Sequence, residues 1–420
     1  MSGLAGDCFA YGGGRIAVRA AQALLRERTA PVVGTEQAGL IEAAGRSLAS
    51  PLVAPRDVPA FDNAAVDGYA FGFGAGMREN GARLTLATGR AAAGHPFSGK
   101  VAPGTAVRVL TGAVMPAGTD AVVLQEEVQV EAGTVLVPPG LKAGANRRRA
   151  GEDVAAGARL LEPGTLLRPQ EIGLAAELGL ATLPVYAPLR VALFSSGDEL
   201  VPLGRALEHG QVFDANRPIL GALLRALPAS VTDLGVLPDE EQAVRRALLD
   251  ASAAHDVVLT SGGASRGDED HVVRAVQALG RLDFWQIAMK PGRPLAFGRL
   301  GDAAFVGLPG NPVAAMVCFL LFARPVLRRL AGFGWEVPAG LPIPAAFSLT
   351  KRPGRSEYLR GRLRRDAEGP RAERIAREGS GILTSMVAAR GLIELDEARE
   401  TVQEGNLVSW LGFAELGIPV

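Results

Sequence analysis

At 420 residues, with 48% hydrophobic and 21% charged side chains, the chain is globular in composition and too long for one core, so two to four domains are expected. Lys plus Arg number 44, as do Asp plus Glu; a formal net charge of zero excludes the electrostatic footprint of a nucleic-acid or anionic-membrane binder. Two distant cysteines, Cys8 and Cys318, exclude a disulfide framework and suit a reducing cytoplasm, and four scattered histidines lack zinc-ligand spacing, which leaves a hard, oxygen-bound cation such as Mg²⁺ as the metal to expect.

The first residues lack the apolar core of a signal peptide, and the longest apolar run, VAAMVCFLLFA (313–323), is too short to span a bilayer. A soluble, cytoplasmic protein is the expectation. RIAVRAAQALLRER and EQAGLIEAAGRSLA read as helices. From about Pro55 to Val137 the texture becomes β-rich, with RLTLATGR, TAVRVLTGA, DAVVLQEEVQV and TVLVPPG as strands. Helical texture returns in RPQEIGLAAELGLATL. A helical linker domain, 15–54 plus 151–188, with a β-rich domain of 55–150 inserted into it, follows from that change of texture.

From Leu189 the pattern is α/β. LRVALFSSGDEL, SVTDLGVLP, DVVLT, FWQIAM, PLAFGRL and AAFVGLPG read as strands. Helices are expected in NRPILGALLRAL, with Asn216 as N-cap, in DEEQAVRRALLDASA, with Asp239 and Gln242 as a capping box, and from about Asp268 to Leu279. A long apolar helix starts at Asn311-Pro312 and should kink or end at Pro325. The fold class is therefore α/β and multidomain, with a doubly wound domain over 189–332 that takes ligands at the carboxyl ends of its strands. A C-terminal β domain, 335–420, completes the chain with strands in RSEYLRGRLRRD, RAERIARE, GLIELDE and NLVSWLGF.

The loops leaving the α/β strands are polar and Gly-rich. Ser196 and Glu199 follow the first strand, Asp239 follows LGVLP, Gly262, Gly263, Ser265 and Asp270 lie in TSGGASRGDEDH, and Pro309, Gly310, Asn311 and Pro312 form the LPGNP turn. Glycines let backbone amides approach a ligand, whereas clustered acids need a positive charge between them. Each loop alone is also an ordinary turn. Asn311 should cap the following helix and leave amides free for an anion, and KPGRP adds Lys290 and Arg293 as cations for an oxyanion. Outside this region, FDNAAVDGYA carries Asp62 and Asp67, a TGA turn carries Thr111, and NRRRAGED carries Arg147, Arg148, Arg149, Glu152 and Asp153.

In chain order FDNAAVDGYA, LTGAVMPAGTDAVV, NRRRAGED, FSSGDEL, DANR, TSGGASRGDEDH, KPGRPLAFG and GLPGNPVAA resemble the molybdopterin molybdenumtransferases of the MoeA type. That resemblance implies an enzyme that inserts molybdate into adenylylated molybdopterin, releases AMP and requires Mg²⁺. It also implies a homodimer of four-domain chains, with the active site between the α/β domain of one chain and the β-rich and C-terminal domains of the other, and contact with the adenylyltransferase that supplies the substrate. The functional acids would be Asp67, Asp153, Glu199, Asp239 and Asp270, with Asp67, Glu199 and Asp270 holding metal. Thr111 matches the polar residue of the TGA turn, Lys290 the first lysine of KPG, and Pro309 and Pro312 flank the Gly-Asn turn. Ser385, in GSGILTSMVAARGLIEL, matches a functional serine. Arg293 stands where the family often has lysine, Gln286 where a basic residue is frequent, and the alanine of NRRRAGED shifts its arginines by one. A tungstate-inserting enzyme and a molybdopterin adenylyltransferase are the nearest alternatives; a purely scaffolding role leaves the acids unexplained.

Overall fold

The computed structural model describes residues 15–238, 240–262, 271–367 and 369–418. Its centre is a six-stranded sheet in the order Ala229–Leu237, Leu189–Ser196, Val257–Ser261, Ala303–Leu308, Pro294–Leu300, Gly280–Gln286. The first four strands are parallel and the last two antiparallel, so the sheet is mixed. LRVALFSS, VVLTS and AAFVGL are apolar almost throughout because helices cover both faces of these strands. Alternate residues point to opposite faces. Val191, Leu193, Leu259 and Val306 pack with Leu220, Leu224, Val313 and Val317 on one side, while Ala192, Phe194, Val258 and Phe305 meet Val244, Leu248, Val272 and Val276 on the other. Burying each such Val, Leu or Phe contributes roughly 1.5–3 kcal/mol, so this two-sided core holds the strand ends in place.

The helix after Asn311 runs as Pro312–Cys318, widens into a π turn over Phe319–Ala323, and resumes as Arg324–Leu330. Pro325 was expected to kink or end it. The helix does not end there: Pro325 sits in the first turn of the resumed segment, directly after the π turn, where its missing amide costs no i→i−4 bond. Phe319, Leu320, Leu321 and Phe322 are all buried and hold the widened turn in the core.

Residues 59–153 leave and re-enter a small core shared by Ala38, Leu48, Leu52 and Val58 with Val154, Leu167, Leu178, Leu183 and Val185. That region was expected to be helical, but EQAGLIEAAGRSLA is only partly so. Thr35–Gly39 is a strand paired with Thr182–Tyr186, and a short helix, Leu40–Ala43, follows. The ATL end of the second helical run likewise belongs to a strand, after the helix Pro169–Glu177. Thr182–Tyr186 is paired on both sides, with Thr35–Gly39 and with Leu48 opposite Val185, and this tertiary pairing overrides the local helix preference. Leu52–Val53 pairs with Arg159–Leu161 in the same body.

Within 59–153 a second six-stranded sheet runs Ala121–Leu124, Gly68–Phe71, Thr105–Val109, Ala82–Ala91, Thr134–Val137, Gln129–Glu131. Its two faces bury Ala70, Val107, Val109 and Val122 on one side and Phe71, Ala106, Ala121 and Val123 on the other. The C-terminal sheet contains Ser356–Asp366, Gly391–Leu395, Leu407–Gly412 and Leu341–Pro344, and Gly369–Arg374 pairs with the first of these. FWQIAM is not one strand. It divides after Gln286, and Met289–Lys290 joins the edge of the C-terminal sheet beside Ser356 and Glu357. No helix among the described residues is long and apolar enough to cross a membrane.

Candidate active site

At the carboxyl edge of the central sheet three loops meet closely. Gly262 has φ +89°, and a Cβ there would lie 2.6 Å from the Ser196 carbonyl; one on Gly310 would lie 3.9 Å from Gly262 Cα. The Gly262 amide donates to Leu308 O at 3.2 Å, and the Ser261 hydroxyl donates to Pro309 O at 3.1 Å. Ser196, Gly262, Pro309 and Gly310 are thus brought together, with backbone rather than side chains at the point of closest approach. Glu199 is exposed, and its carboxylate folds back against Gly197, where a Cβ would meet Oε2 at 2.5 Å. Gly263, Ser265, Asp239 and Asp270 lie outside the described residues.

Local capping differs from expectation at two helices. Asn216 was expected to cap its helix, but Asp214 does so: its Oδ1 accepts from the Asn216 and Arg217 amides at 3.0 and 3.1 Å. Asp239, expected with Gln242 to cap the helix Glu241–Ala254, lies outside the described residues, and Glu240 precedes that helix in extended conformation with no side-chain capping bond of its own. Asn311 likewise makes no side-chain capping bond, and the amide of Val313, expected to be free for an anion, donates to Ser380 O at 3.0 Å. The C-terminal body therefore lies directly on this turn. Pro312, at the first helical position, carries no amide hydrogen to offer.

Lys290 is held by the same body. Its Nζ lies 3.3 Å from Glu378 Oε2 and 3.9 Å from Glu357 Oε2, and Arg374 binds the other Glu378 oxygen at 2.9 Å. The cation expected to face an oxyanion thus has carboxylates of its own. Arg293 is exposed. Ser385 is fully buried, accepting from Arg360 Nε at 3.1 Å and donating to Ile382 O at 2.6 Å. Arg360 also donates to Arg377 O at 3.1 Å. Burial pushes its guanidinium pKa down, opposed by the charge of Glu378. Ser385 and Arg360 shape the 377–382 loop from beneath.

The second group lies on the inserted sheet. Asp67 precedes the Gly68–Phe71 strand, and its Oδ1 accepts from both the amide and the hydroxyl of Thr111, each at 2.7 Å. Those bonds hold the Asp67 carboxyl below the usual aspartate value, the amide first and the hydroxyl second; the charge of Arg108 adds to them and partial burial opposes them. Asp62 accepts from the Ala150 amide at 2.8 Å and faces Arg147 at 3.6 Å, and Arg147–Arg148 pairs with Asn63–Ala64. FDNAAVDGYA, the TGA turn and NRRRAGED therefore form one surface. Asp153 is exposed at its margin, its amide donating to Val58 O at 3.1 Å.

Among the described residues no hydrogen bond or ion pair joins the Asp67–Thr111 group to the loops around Ser196, Gly262 and Gly310. Mg²⁺ was expected on Asp67, Glu199 and Asp270. Asp67 and Glu199 stand on different sheets, and no three His, Cys, Asp or Glu among the described residues come together as a metal site. Within one chain, then, the described acids do not fit the cation. Sequence reasoning gave Asn216, in the DANR motif, no role beyond a cap, and overlooked Glu378. The one signal for Asn216 was the Asp two positions earlier, which leaves the asparagine side chain available.

Three family models match in order: the MoeA N-terminal region (domain I and II) over 16–179, the probable molybdopterin binding domain over 192–329, and the MoeA C-terminal region (domain IV) over 342–413. The molybdopterin molybdenumtransferase of Haemophilus influenzae is 39% identical over 379 residues, spanning 89% of this chain and 93% of that protein. Molybdopterin molybdenumtransferase 2 of Mycobacterium tuberculosis is 34% identical over 377 residues, 87% of this chain and 92% of that one. The crystal structure of the molybdopterin biosynthesis moeA protein from Pyrococcus horikoshii OT3 superposes with a TM-score of 0.80 at 30% identity, covering 94% of this chain and 99% of that one. With its motifs, its α/β multidomain fold and its close relatives in agreement, the chain belongs to the molybdopterin molybdenumtransferase family and is a transferase of molybdenum cofactor biosynthesis.

Proposed function

We propose that this chain inserts molybdate into adenylylated molybdopterin, cleaving the adenylate and releasing AMP. The observation that carries the reading is the meeting of Ser196, Gly262 and Gly310 at the carboxyl edge of the sheet, where backbone can approach a pterin and its phosphates without intervening side chains. Asp67 supplies a carboxylate kept charged by Thr111, placed to orient molybdate. Lys290 steadies phosphate as charge moves onto the leaving AMP, once Glu378 gives way. Asp153, Glu199, Asp239, Asp270, Arg293, Asn311 and Ser385 belong to the same reading.

The two groups of residues stand on separate sheets of one chain, and Phe61, beside Asp62, is 64% exposed. Both observations support a homodimer in which the inserted body of one protomer completes the α/β site of its partner; the C-terminal body, expected to come from the partner too, instead meets the Asn311 turn and Lys290 of its own chain. A Mg²⁺ requirement, contact with the adenylyltransferase that supplies the substrate, and a cytoplasmic location belong to the same reading, as does its division into domains over 15–54 plus 151–188, 55–150, 189–332 and 335–420. The deciding measurement is AMP release from adenylylated molybdopterin with molybdate, with tungstate and with neither, in wild type and Asp67→Ala. Molybdate-dependent release that collapses in the variant is expected; a folded wild type that releases no AMP under any condition sinks the reading.

A further inference from the structure

We infer that Asn216 is a positioning residue, tying the end of the Val257–Ser261 strand to the Pro309–Gly310 turn and so setting the spacing of the loops that receive the pterin. This rests on the molybdopterin-binding reading given above. Asp214 already satisfies the helix start, which frees the Asn216 side chain for another task. Arg217 pairs with Asp214 and Asp233 and fixes that helix start further. Asn216 Nδ2 donates to Ser261 Oγ at 2.7 Å and to Gly310 O at 2.5 Å. The Gly310 carbonyl fixes which way the amide faces, since the reverse orientation would set oxygen against oxygen. Ser261 in turn donates its hydroxyl hydrogen bond to Pro309 O at 3.1 Å. The link is therefore continuous from Asn216 through Ser261 to Pro309, with a second branch to Gly310.

No side chain of Gly262 or Gly310 stands between these loops, so the strand ladder sets their spacing up to Ser261 and Leu308, and polar links of this kind hold the turn beyond it. Among the described residues, Asn216 Oδ1 and Ser195 Oγ are buried on this face without a hydrogen-bond partner, and Thr260 Oγ1 is likewise unpartnered on the opposite face. Ser195 is 1% exposed and Thr260 fully buried.

The test is equilibrium binding of molybdopterin to the full-length protein, with a thermal melt for each variant. Asn216→Ala and Ser261→Ala should each weaken binding by roughly tenfold, the loss expected of one good hydrogen bond. The double variant should lose less than the product of the two single losses, because the Asn216–Ser261 bond is counted in both. Asn216→Asp keeps the shape but cannot donate, so it should bind as poorly as the alanine variant, and its melt separates this from misfolding. Wild-type affinity in Asn216→Asp, or losses that multiply in the double variant, would overturn the inference. A wild type that fails to bind molybdopterin overturns it together with the transferase reading.

Discussion

Thr111 binds one oxygen of Asp67 twice, through its amide and through its hydroxyl, each at 2.7 Å. Asp67 is held below its ordinary value of 3.8 mainly by these two bonds. A carboxylate with a lowered folded pKa contributes stability that is fully present above 3.8 and is lost as pH falls through the folded value. Thr111→Val removes the hydroxyl and keeps the amide, so Asp67 should titrate higher in the variant yet still below its ordinary value. A carbon-detected NMR titration of the carboxyl reads this directly, and an unmoved titration would contradict it.

A site shared between protomers predicts complementation. Asp67→Ala and Lys290→Ala each disable one half of the site, on different bodies of the chain. Co-refolded in equal amounts, they should recover about a quarter of wild-type activity, because half the dimers are mixed and each mixed dimer holds one intact site. Recovery no greater than the activity of the separate variants would place the whole site within one chain.

Gly68 lies between two partner strands, and a Cβ there would come within 1.9 Å of the Val123 carbonyl. Such a clash with backbone cannot be relieved by a rotamer change. Gly68→Ala should therefore displace the strand that carries Asp67, lower the melting temperature and abolish molybdate-dependent AMP release. Retention of both would show that the sheet adjusts more readily than its two-sided pairing implies.

Cys318 is wholly buried among apolar residues, which pushes its thiol up to about 12. The thiolate is the reactive form, so at pH 8 in native protein this cysteine should resist a thiol reagent and react only after denaturant is added. A Cys8→Ser variant isolates the measurement. Rapid labelling of that variant while folded would mean that the helix 312–318 opens readily.

Much of the fold was legible because it follows from local pattern. Fully apolar strands such as VVLTS and AAFVGL announce a sheet covered on both faces, and the alternating texture of 55–150 announces a second one. The misread segments were those whose conformation depends on a distant partner. Thr35–Gly39 is a strand because Thr182–Tyr186 lies beside it, and Met289–Lys290 leaves the α/β body because Ser356 and Glu357 offer it an edge.

The sequence by itself determined the residue types of the candidate site, the order of its motifs and the loops that carry them, since each is a local property of glycine, proline and acid placement. Only the tertiary structure decided which of them meet. It gave the capping of the 216–224 helix to Asp214 and left the Asn216 side chain to bind Ser261 and Gly310. It also set Ser380 on the Val313 amide, Glu378 on Lys290 and Ser385 in the core. Hydrogen bonds and ion pairs act over about 3 Å. Residues far apart along the chain come that close only when the packing of whole bodies brings them there.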